Sequence, residues 1–189
     1  MRRSALVFLM LWVASLAWFA SAGELEPQDP PTAAPRLALP DLSGRQHSLE
    51  DYGGQVVLVN FWASWCPPCM AEMPSMQRLS QRMADRPFQI LAVNVAESSA
   101  TVWKFKKLLN MEFTTLLDDG GETARAWGAE LLPSSYVVDA DGRIVYLVLG
   151  SLDWDSASVI SRLEALMPDR LDGGNLVLNP QDRLKLERR

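Results

Sequence analysis

Cysteine and histidine are scarce in this sequence, which has two cysteines, Cys66 and Cys69, and a single histidine, His47, among 189 residues. A structural zinc site needs about four ligands of these kinds. His47 is also predicted to lie in a hairpin away from the cysteines, where a surface turn residue is the simpler interpretation. The shortage of ligands therefore argues against a structural zinc site, and we expect no metal centre.

Basic residues are fewer than acidic ones. The sequence has 18 lysines and arginines and 23 aspartates and glutamates, which gives a net charge of −5. An acidic domain offers no electrostatic basis for binding nucleic acid or anionic lipid. The sequence also lacks a serine nucleophile elbow, a phosphate-binding loop and a dinucleotide fingerprint. We therefore expect neither a nucleic-acid partner nor a bound cofactor.

Residues 1–22 have the composition of an export sequence. Arg2 and Arg3 precede an uncharged apolar run over residues 4–20, and an A-x-A cleavage pattern ends at Ala22. This order predicts a signal peptide that is cleaved after Ala22. The alternative is an uncleaved membrane anchor, because the apolar run is long for a signal peptide and at the short limit for a membrane span. In both cases the rest of the chain is exported, which predicts a periplasmic or other extracytoplasmic location.

Three further segments follow the export sequence. Residues 23–35 are rich in proline and acidic side chains, which predicts a flexible, partly extended spacer. Residues 36–168 have the apolar patterns of a single folded domain. Residues 169–189 are predicted to form a loose tail without an evident function, with a short strand at Leu176–Leu178.

The patterns within residues 36–168 predict an α/β fold. A hairpin over residues 36–49 precedes a β-α-β-α-turn-β-β-α order. The first strands need crossover helices and are expected to be parallel, whereas Asp141-Gly142 joins the last two strands as an antiparallel hairpin. The chain is therefore expected to form a central mixed sheet flanked by helices, with an N-terminal β-hairpin. The predicted strands after the hairpin are Val56–Trp62, Phe88–Val95, Ser135–Val138 and Ile144–Leu149, and the predicted helices are Pro68–Ala84, Thr101–Leu109, Glu122–Trp127 and Asp155–Met167.

Both cysteines lie in the stretch FWASWCPPCM, where a buried strand leads directly into a helix. Cys66 is then at the helix N-terminus, where the helix dipole and free N–H groups stabilise a thiolate. The thiolate is the attacking species in disulfide exchange, and Cys69, one turn further and more buried, can resolve a mixed disulfide. A disulfide that closes so short a loop is a poor structural staple. The pair is therefore predicted to be a redox centre whose disulfide forms and breaks.

The residues around the cysteines have both functional and ordinary interpretations. Pro67 and Pro68 suit the first helical turn, which needs no intrahelical donors, and they stiffen the disulfide ring. Trp65 either helps to dock a partner or packs as an ordinary apolar residue. Methionine thioethers can bind Cu(I), but packing is the expected role of the methionines on this helix. These methionines are Met70, Met73 and Met76.

A longer set of motifs resembles one family. FWASWCPPC follows a buried strand, AEMP comes next, and a proline before a strand and DADGRIV come later. Together they resemble the thioredoxin-like family, and more narrowly its exported TlpA/ResA-type branch, which includes the cytochrome c maturation thioredoxins. The resemblance covers about residues 36–167. It implies a thioredoxin-like domain over residues 36–168 and the activity of an exported thiol-disulfide oxidoreductase.

The resemblance also implies roles for four residues. Cys66 would be the exposed nucleophile, Cys69 the resolving thiol, and Pro133 the cis-proline that faces the disulfide and holds the substrate backbone. Glu72 follows Cys69 by one helical turn, so its carboxylate can exchange a proton with that thiol. The alternative is a solvated glutamate that favours the helix dipole. The expected substrate-docking residues are Trp65, Pro67, Pro68 and Leu132.

Two features near these residues are less decisive. Glu97, just past the second buried strand, is a weaker candidate for the role of Glu72. The stretch Leu132-Pro133-Ser134-Ser135 departs from the Pro-Thr-Thr that is more usual in the family, which leaves the choice of substrate open.

The expected activity is reduction of substrate disulfides, and its direction comes from the family resemblance rather than from the cysteine spacing. The partners are then a disulfide-bonded protein substrate and a membrane thiol-transfer reductase that restores the dithiol, and the protein is expected to be a monomer. Apocytochrome c is the family's best-known substrate, but the sequence does not select it. Two alternatives stay open, a general disulfide oxidase or isomerase and a copper-handling protein that binds through both cysteines.

Overall fold

The computed structural model describes residues 23–168 together with the backbone of residues 170–172 and 175–177. The predicted signal peptide over residues 1–22 lies outside the described residues, as does most of the predicted tail. Within the described ranges, no helix has the length and apolar character that crossing a membrane requires. The strands are β1 (Glu26–Ala33), β2 (Ala38–Pro40), β3 (Gln46–Ser48), β4 (Val56–Trp62), β5 (Phe88–Val95), β6 (Thr114–Asp118), β7 (Ser134–Val138), β8 (Arg143–Leu149), β9 (Arg170–Asp172) and β10 (Asn175–Val177). The α-helices are α1 (Pro67–Arg82), α2 (Ser99–Leu108), α3 (Glu122–Ala126) and α4 (Ala157–Glu164), and a short 3₁₀ helix covers Leu49–Tyr52.

Six strands form one central sheet, in the order β1-β8-β7-β4-β5-β6. β5 pairs in parallel with both β4 and β6, whereas the pairs β4–β7, β7–β8 and β8–β1 are antiparallel. The predicted α/β fold with a central mixed sheet is therefore confirmed. The N-terminal hairpin is also confirmed, because β2 pairs antiparallel with β3. In the tail, β9 and β10 form a separate antiparallel pair, and β10 overlaps the predicted strand.

β4 is an interior strand, and all seven of its residues are buried. Its side chains alternate between two apolar clusters, one on each face of the sheet. Leu58 and Trp62 belong to the cluster formed with α1, α2 and α4, whereas Val59 and Phe61 belong to the cluster formed with the N-terminal hairpin and α3. A strand buried on both faces appears as a continuous apolar run, which is why the bounds of β4 were correctly predicted.

The prediction of a flexible spacer over residues 23–35 is wrong for β1, which pairs antiparallel with β8 at the edge of the sheet. An edge strand needs hydrogen bonds on one side only, so it tolerates prolines that an interior strand excludes. The register of β1 shifts between Pro27 and Thr32.

β6 was not predicted from the sequence, and it forms the opposite edge of the sheet. The four predicted helices are present, and α4 is shorter than the predicted Asp155–Met167.

The connections between strands bring the predicted site residues to one edge of the sheet. β4 and β5 are parallel, so the residues that follow both strands lie at the same edge. β7 is antiparallel to β4, with Ser134 paired to Phe61, so the loop that precedes β7 lies at this edge too. The two cysteines, Pro133 and Glu97 are placed together by this arrangement.

Candidate active site

Cys66 and Cys69 form a disulfide at the start of α1. Cys66 is the N-cap residue, with an extended backbone, and its Sγ accepts a hydrogen bond from the Cys69 N–H at 3.3 Å. This contact places the sulfur of Cys66 where the free N–H groups and the helix dipole stabilise negative charge. Cys66 is 4% exposed and Cys69 is fully buried. An incoming sulfur can therefore reach Cys66 more easily than Cys69.

An exposed apolar surface lies beside the disulfide. Pro67 and Pro68 occupy the first two positions of α1, as predicted, and both are exposed. Trp65 is 69% exposed, which rules out the alternative that it is an ordinary packed residue. Leu132 is half-buried against the cluster that contains both cysteines, and its neighbour Leu131 is exposed. Leu131 was not singled out from the sequence, because nothing in the chain before Pro133 distinguishes it from a core leucine.

Pro133 lies at the same edge of the sheet. The Leu132–Pro133 peptide bond is cis. The Pro133 carbonyl oxygen accepts a hydrogen bond from the Gly150 N–H at 2.9 Å, so the loop before β7 is attached to the end of β8. The Ser134 hydroxyl donates to the carbonyl oxygen of Leu131 at 2.6 Å. These bonds hold the backbone around Pro133 in a fixed position.

Glu72 is buried, with 2% of its surface exposed. Its Oε1 accepts from the Asn60 side-chain amide at 2.8 Å, and its Oε2 accepts from the Trp154 indole N–H at 3.0 Å and from the Leu152 N–H at 3.2 Å. Burial raises the pKa of the Glu72 carboxyl to about 7, although the three hydrogen bonds oppose this rise. The alternative of a solvated glutamate is therefore wrong, and Glu72 is a group that can gain or lose a proton near neutral pH.

The partners of Glu72 were not predicted from the sequence. Asn60 is fully buried in β4, and its amide nitrogen also donates to the Ser135 hydroxyl at 2.8 Å. Trp154 is fully buried in the connection between β8 and α4. An asparagine inside the apolar run VVLVNFW is a sequence feature that could have drawn attention to Asn60, because a buried amide needs hydrogen-bond partners. Nothing in the sequence near Trp154 indicates its contact with α1.

Glu97 holds the loop that precedes Cys66. Its carboxylate accepts from the Ser64 N–H at 2.7 Å, from the Ser64 hydroxyl, and from the Asn94 side-chain amide at 2.8 Å. Ala96 has a left-handed backbone with φ of 58°, which turns the chain so that Glu97 faces the loop. Since all these donors belong to the loop and to β5, Glu97 is engaged in holding the backbone rather than facing Cys69.

The remaining candidate ligands are engaged in hydrogen bonds or in core packing. His47 is buried in β3 and contacts Asp41 at 3.0 Å and Tyr52 at 2.6 Å, so its interpretation as a surface turn residue is wrong. Met73 and Met76 are fully buried in the core, in agreement with the packing role expected of them. In the part of the chain that the structure describes, no group of three or more histidine, cysteine, aspartate or glutamate side chains is arranged to hold a metal ion.

Known proteins share both the sequence and the fold. The AhpC/TSA family matches residues 30–147. The thiol-disulfide oxidoreductase ResA of Geobacillus thermodenitrificans (strain NG80-2) is 34% identical over 137 residues, which are 72% of this chain and 78% of that protein. The crystal structure of a Chlorobium tepidum protein assigned as the thiol:disulfide interchange protein DsbE is 31% identical, has a TM-score of 0.66, and aligns over 74% of this chain and 96% of that one. A thiol:disulfide interchange protein of the thioredoxin family from Chlorobium tepidum TLS is 27% identical with a TM-score of 0.62, over 70% of this chain and 96% of that one.

Proposed function

Because this chain belongs to the AhpC/TSA family, and within it to the thioredoxin-like thiol-disulfide oxidoreductases of ResA type, we propose that it reduces the disulfides of exported proteins. The observation that carries the proposal is the burial of Glu72 one helical turn from Cys69, with a pKa of about 7. A reductase must deprotonate its resolving thiol at neutral pH, and a carboxylate with this pKa is suited to accept that proton.

The first step is attack by reduced Cys66 on the substrate. The thiolate of Cys66, stabilised at the N-terminus of α1, attacks one sulfur of the substrate disulfide. The substrate S–S bond breaks, its second sulfur leaves and takes up a proton, and a mixed disulfide joins Cys66 to the substrate. Trp65, Pro67, Pro68 and Leu132 supply the apolar surface on which the substrate docks, and the backbone at Pro133 holds the substrate chain beside Cys66.

The second step is resolution by Cys69. Its thiol must lose a proton before it attacks, because the thiolate is the nucleophile. Glu72 accepts this proton, and the Cys69 thiolate attacks the sulfur of Cys66. The bond between Cys66 and the substrate breaks, and the substrate sulfur leaves and is protonated. Two electrons have then passed from the cysteine pair to the substrate, and the Cys66–Cys69 disulfide is restored.

A donor outside the protein must reduce this disulfide before the next cycle. We expect the donor to be a dithiol of a membrane thiol-transfer reductase, which would deliver two electrons by the same exchange chemistry. The export sequence predicted over residues 1–22 supports an extracytoplasmic location, with the domain either released after Ala22 or held at the membrane. The protein is proposed to be a monomer whose domain comprises residues 36–168 together with the edge strand β1.

The direction of electron flow is tested by the reduction potential of the Cys66–Cys69 pair, measured by equilibration with a glutathione or dithiothreitol buffer. A value near about −270 mV, as for thioredoxin, is expected for a reductase. A value near about −120 mV, as for a strong oxidant, would contradict the proposal and would favour the general oxidase.

The substrate that the ResA-type resemblance suggests is an apocytochrome c. Its haem-attachment motif is C-x-x-C-H, so the direct test is a single-turnover reaction of the reduced protein with a disulfide-bonded C-x-x-C-H peptide. The matched control is a peptide of the same composition in which the cysteine spacing is changed. Equal rate constants for the two peptides would argue against cytochrome c maturation while leaving the reductase activity intact.

A further inference from the structure

The side-chain amide of Asn60 is hydrogen-bonded at one end only. Its nitrogen donates to both Glu72 Oε1 and Ser135 Oγ, each at 2.8 Å. Its oxygen, Oδ1, is buried and has no hydrogen-bond partner among the described residues. Buried polar atoms are nearly always paired, so an unpaired amide oxygen in the interior needs an explanation.

The other oxygen of Glu72 has fixed partners. Oε2 accepts from the Leu152 backbone N–H and from the Trp154 indole N–H, and both groups are donors only. A proton on Oε2 would face two donors, so a proton that Glu72 takes up has to be on Oε1. Among the described residues, the one hydrogen-bond partner of Oε1 is the amide nitrogen of Asn60. A proton on the other side of Oε1 would be buried without an acceptor, whereas a proton on the side of Asn60 would meet a second donor.

Rotation of the Asn60 amide by half a turn removes this conflict. Oδ1 then occupies the place of the nitrogen, where it can accept from the protonated Oε1 of Glu72. It can also accept from Ser135, because a hydroxyl donates as readily as it accepts. In each orientation one end of the amide contacts both neighbours and the other end is unpaired. The unpaired Oδ1 is thus explained, because it belongs to the amide orientation that suits the ionised form of Glu72.

We propose that the Asn60 amide rotates when Glu72 takes up a proton and in this way transmits the protonation of Glu72 to the Ser135 hydroxyl. Asn60 and Ser135 are then positioning residues for the reaction. Ser135 is paired with Asn60 in the sheet and lies two residues after Pro133, on the strand that begins at the substrate-binding loop. The proton taken from Cys69 would therefore change a hydrogen bond at the base of that loop. This inference rests on the proposed role of Glu72, but its test does not require reductase activity.

Few other groups can change the charge around Glu72. On α1 these are Cys69 and Arg78, and in the connection between β8 and α4 they are Asp153 and Asp155. Arg78 forms ion pairs with both aspartates. β4 has no acidic or basic side chain, and β7 has only the tyrosine whose hydroxyl donates to Trp127 in the other core cluster. In the oxidised protein neither cysteine titrates. The protonation of Glu72 can therefore be followed without a change of charge at the cysteines.

The test is a pH titration of the oxidised full chain by NMR. The side-chain ¹H–¹⁵N resonances of Asn60 are identified by their loss in Asn60→Leu, and the Glu72 carboxyl is followed by its ¹³C resonance. We expect the Asn60 resonances to shift with the same midpoint as the Glu72 carboxyl and to become independent of pH in Glu72→Gln. Asn60 resonances that stay constant while Glu72 titrates would overturn the proposal, whatever the reduction potential turns out to be.

Transmission to the loop is tested with two variants of Ser135. In the wild-type chain, the backbone amide resonance of Ser134 should shift with the Glu72 midpoint. Ser135→Ala removes the hydroxyl and should abolish this shift, whereas Ser135→Thr keeps a hydroxyl and should retain it. Persistence of the Ser134 shift in Ser135→Ala would overturn the proposed route. If Asn60→Leu does not fold, assignment through bonds in the wild-type chain identifies the same resonances and leaves the test unchanged.

Discussion

At the scale of single residues, the proposed proton acceptor of the resolving step is Glu72. Replacement by glutamine keeps the shape of the side chain but removes the carboxylate that we propose accepts the Cys69 proton. We expect Glu72→Gln to slow release of the mixed disulfide by about 100-fold at neutral pH, a typical loss for general base catalysis. The measurement is single-turnover kinetics between about pH 5 and pH 9, in which the wild-type inflection near the Glu72 pKa should disappear.

The control for this variant is Glu50→Gln, which removes an exposed carboxyl in the 3₁₀ helix. Its kinetics should match those of the wild-type chain at every pH. An unchanged inflection in Glu72→Gln would show that another group accepts the Cys69 proton.

The pKa of Glu72 also has a consequence for stability. Burial raises the pKa of this carboxyl from 4.5 to about 7, so the folded state favours the protonated form. Its contribution is then fully present below about pH 4.5 and is lost as the pH rises through about 7. The free energy of unfolding should fall by about 3 kcal/mol over this range because of Glu72 alone.

Urea unfolding of the wild type and of Glu72→Gln at several pH values isolates this effect. Other carboxyl groups titrate equally in both chains, so they cancel in the difference. The difference in unfolding free energy should change in favour of the glutamine variant as the pH rises from about 4.5 to about 8. A difference that does not depend on pH would mean that Glu72 has an ordinary pKa in the folded protein.

At the scale of structural elements, β1 is part of the folded domain. It covers the edge of β8, and Leu25 just before it is buried in the main apolar cluster. A chain that begins at residue 36 instead of residue 23 loses this buried side chain and exposes the backbone of β8. We expect a loss of about 2–3 kcal/mol in the free energy of unfolding and a greater tendency to aggregate.

The measurement is urea unfolding of the two chains, with light scattering to detect association. The matched control is Glu26→Ala within the longer chain, which changes an exposed side chain of β1 and keeps its backbone bonds. Equal stability of the two chains would restore the original interpretation of residues 23–35 as a spacer.

The strands differ in how well their positions can be predicted from their own residues. The interior strands β4 and β5 have continuous apolar runs, so their bounds are predictable from the sequence alone. β1 and β6 lie at the edges, and they become strands only because a neighbouring strand offers free backbone groups. The cysteines, Pro133 and Glu72 were predictable because each belongs to a local motif. Asn60 and Trp154 were not, since their partners lie far away in the chain: Ser135 is 75 residues from Asn60, and Trp154 is 82 residues from Glu72.

At the scale of the whole molecule, the proposed docking residues and the net charge are expected to act on substrates in different ways. The proposed docking side chains are uncharged, so they do not select the charge of a substrate; they are Trp65, Pro67, Pro68 and Leu132. The chain as a whole has a net charge of −5. This charge acts over about 10 Å at moderate ionic strength and should attract basic substrates and repel acidic ones.

We therefore expect two disulfide peptides with the same residues around the cysteines, but with lysines or glutamates further out, to react at different rates. The lysine-flanked peptide should have a second-order rate constant about tenfold higher at low salt, because steering by charge raises the association rate. The two rate constants should converge at about 1 M salt, where the screening length falls to about 3 Å. A difference that persists at high salt would instead locate the selection in direct contacts beside Cys66, and Trp65→Ala would then be the variant to compare.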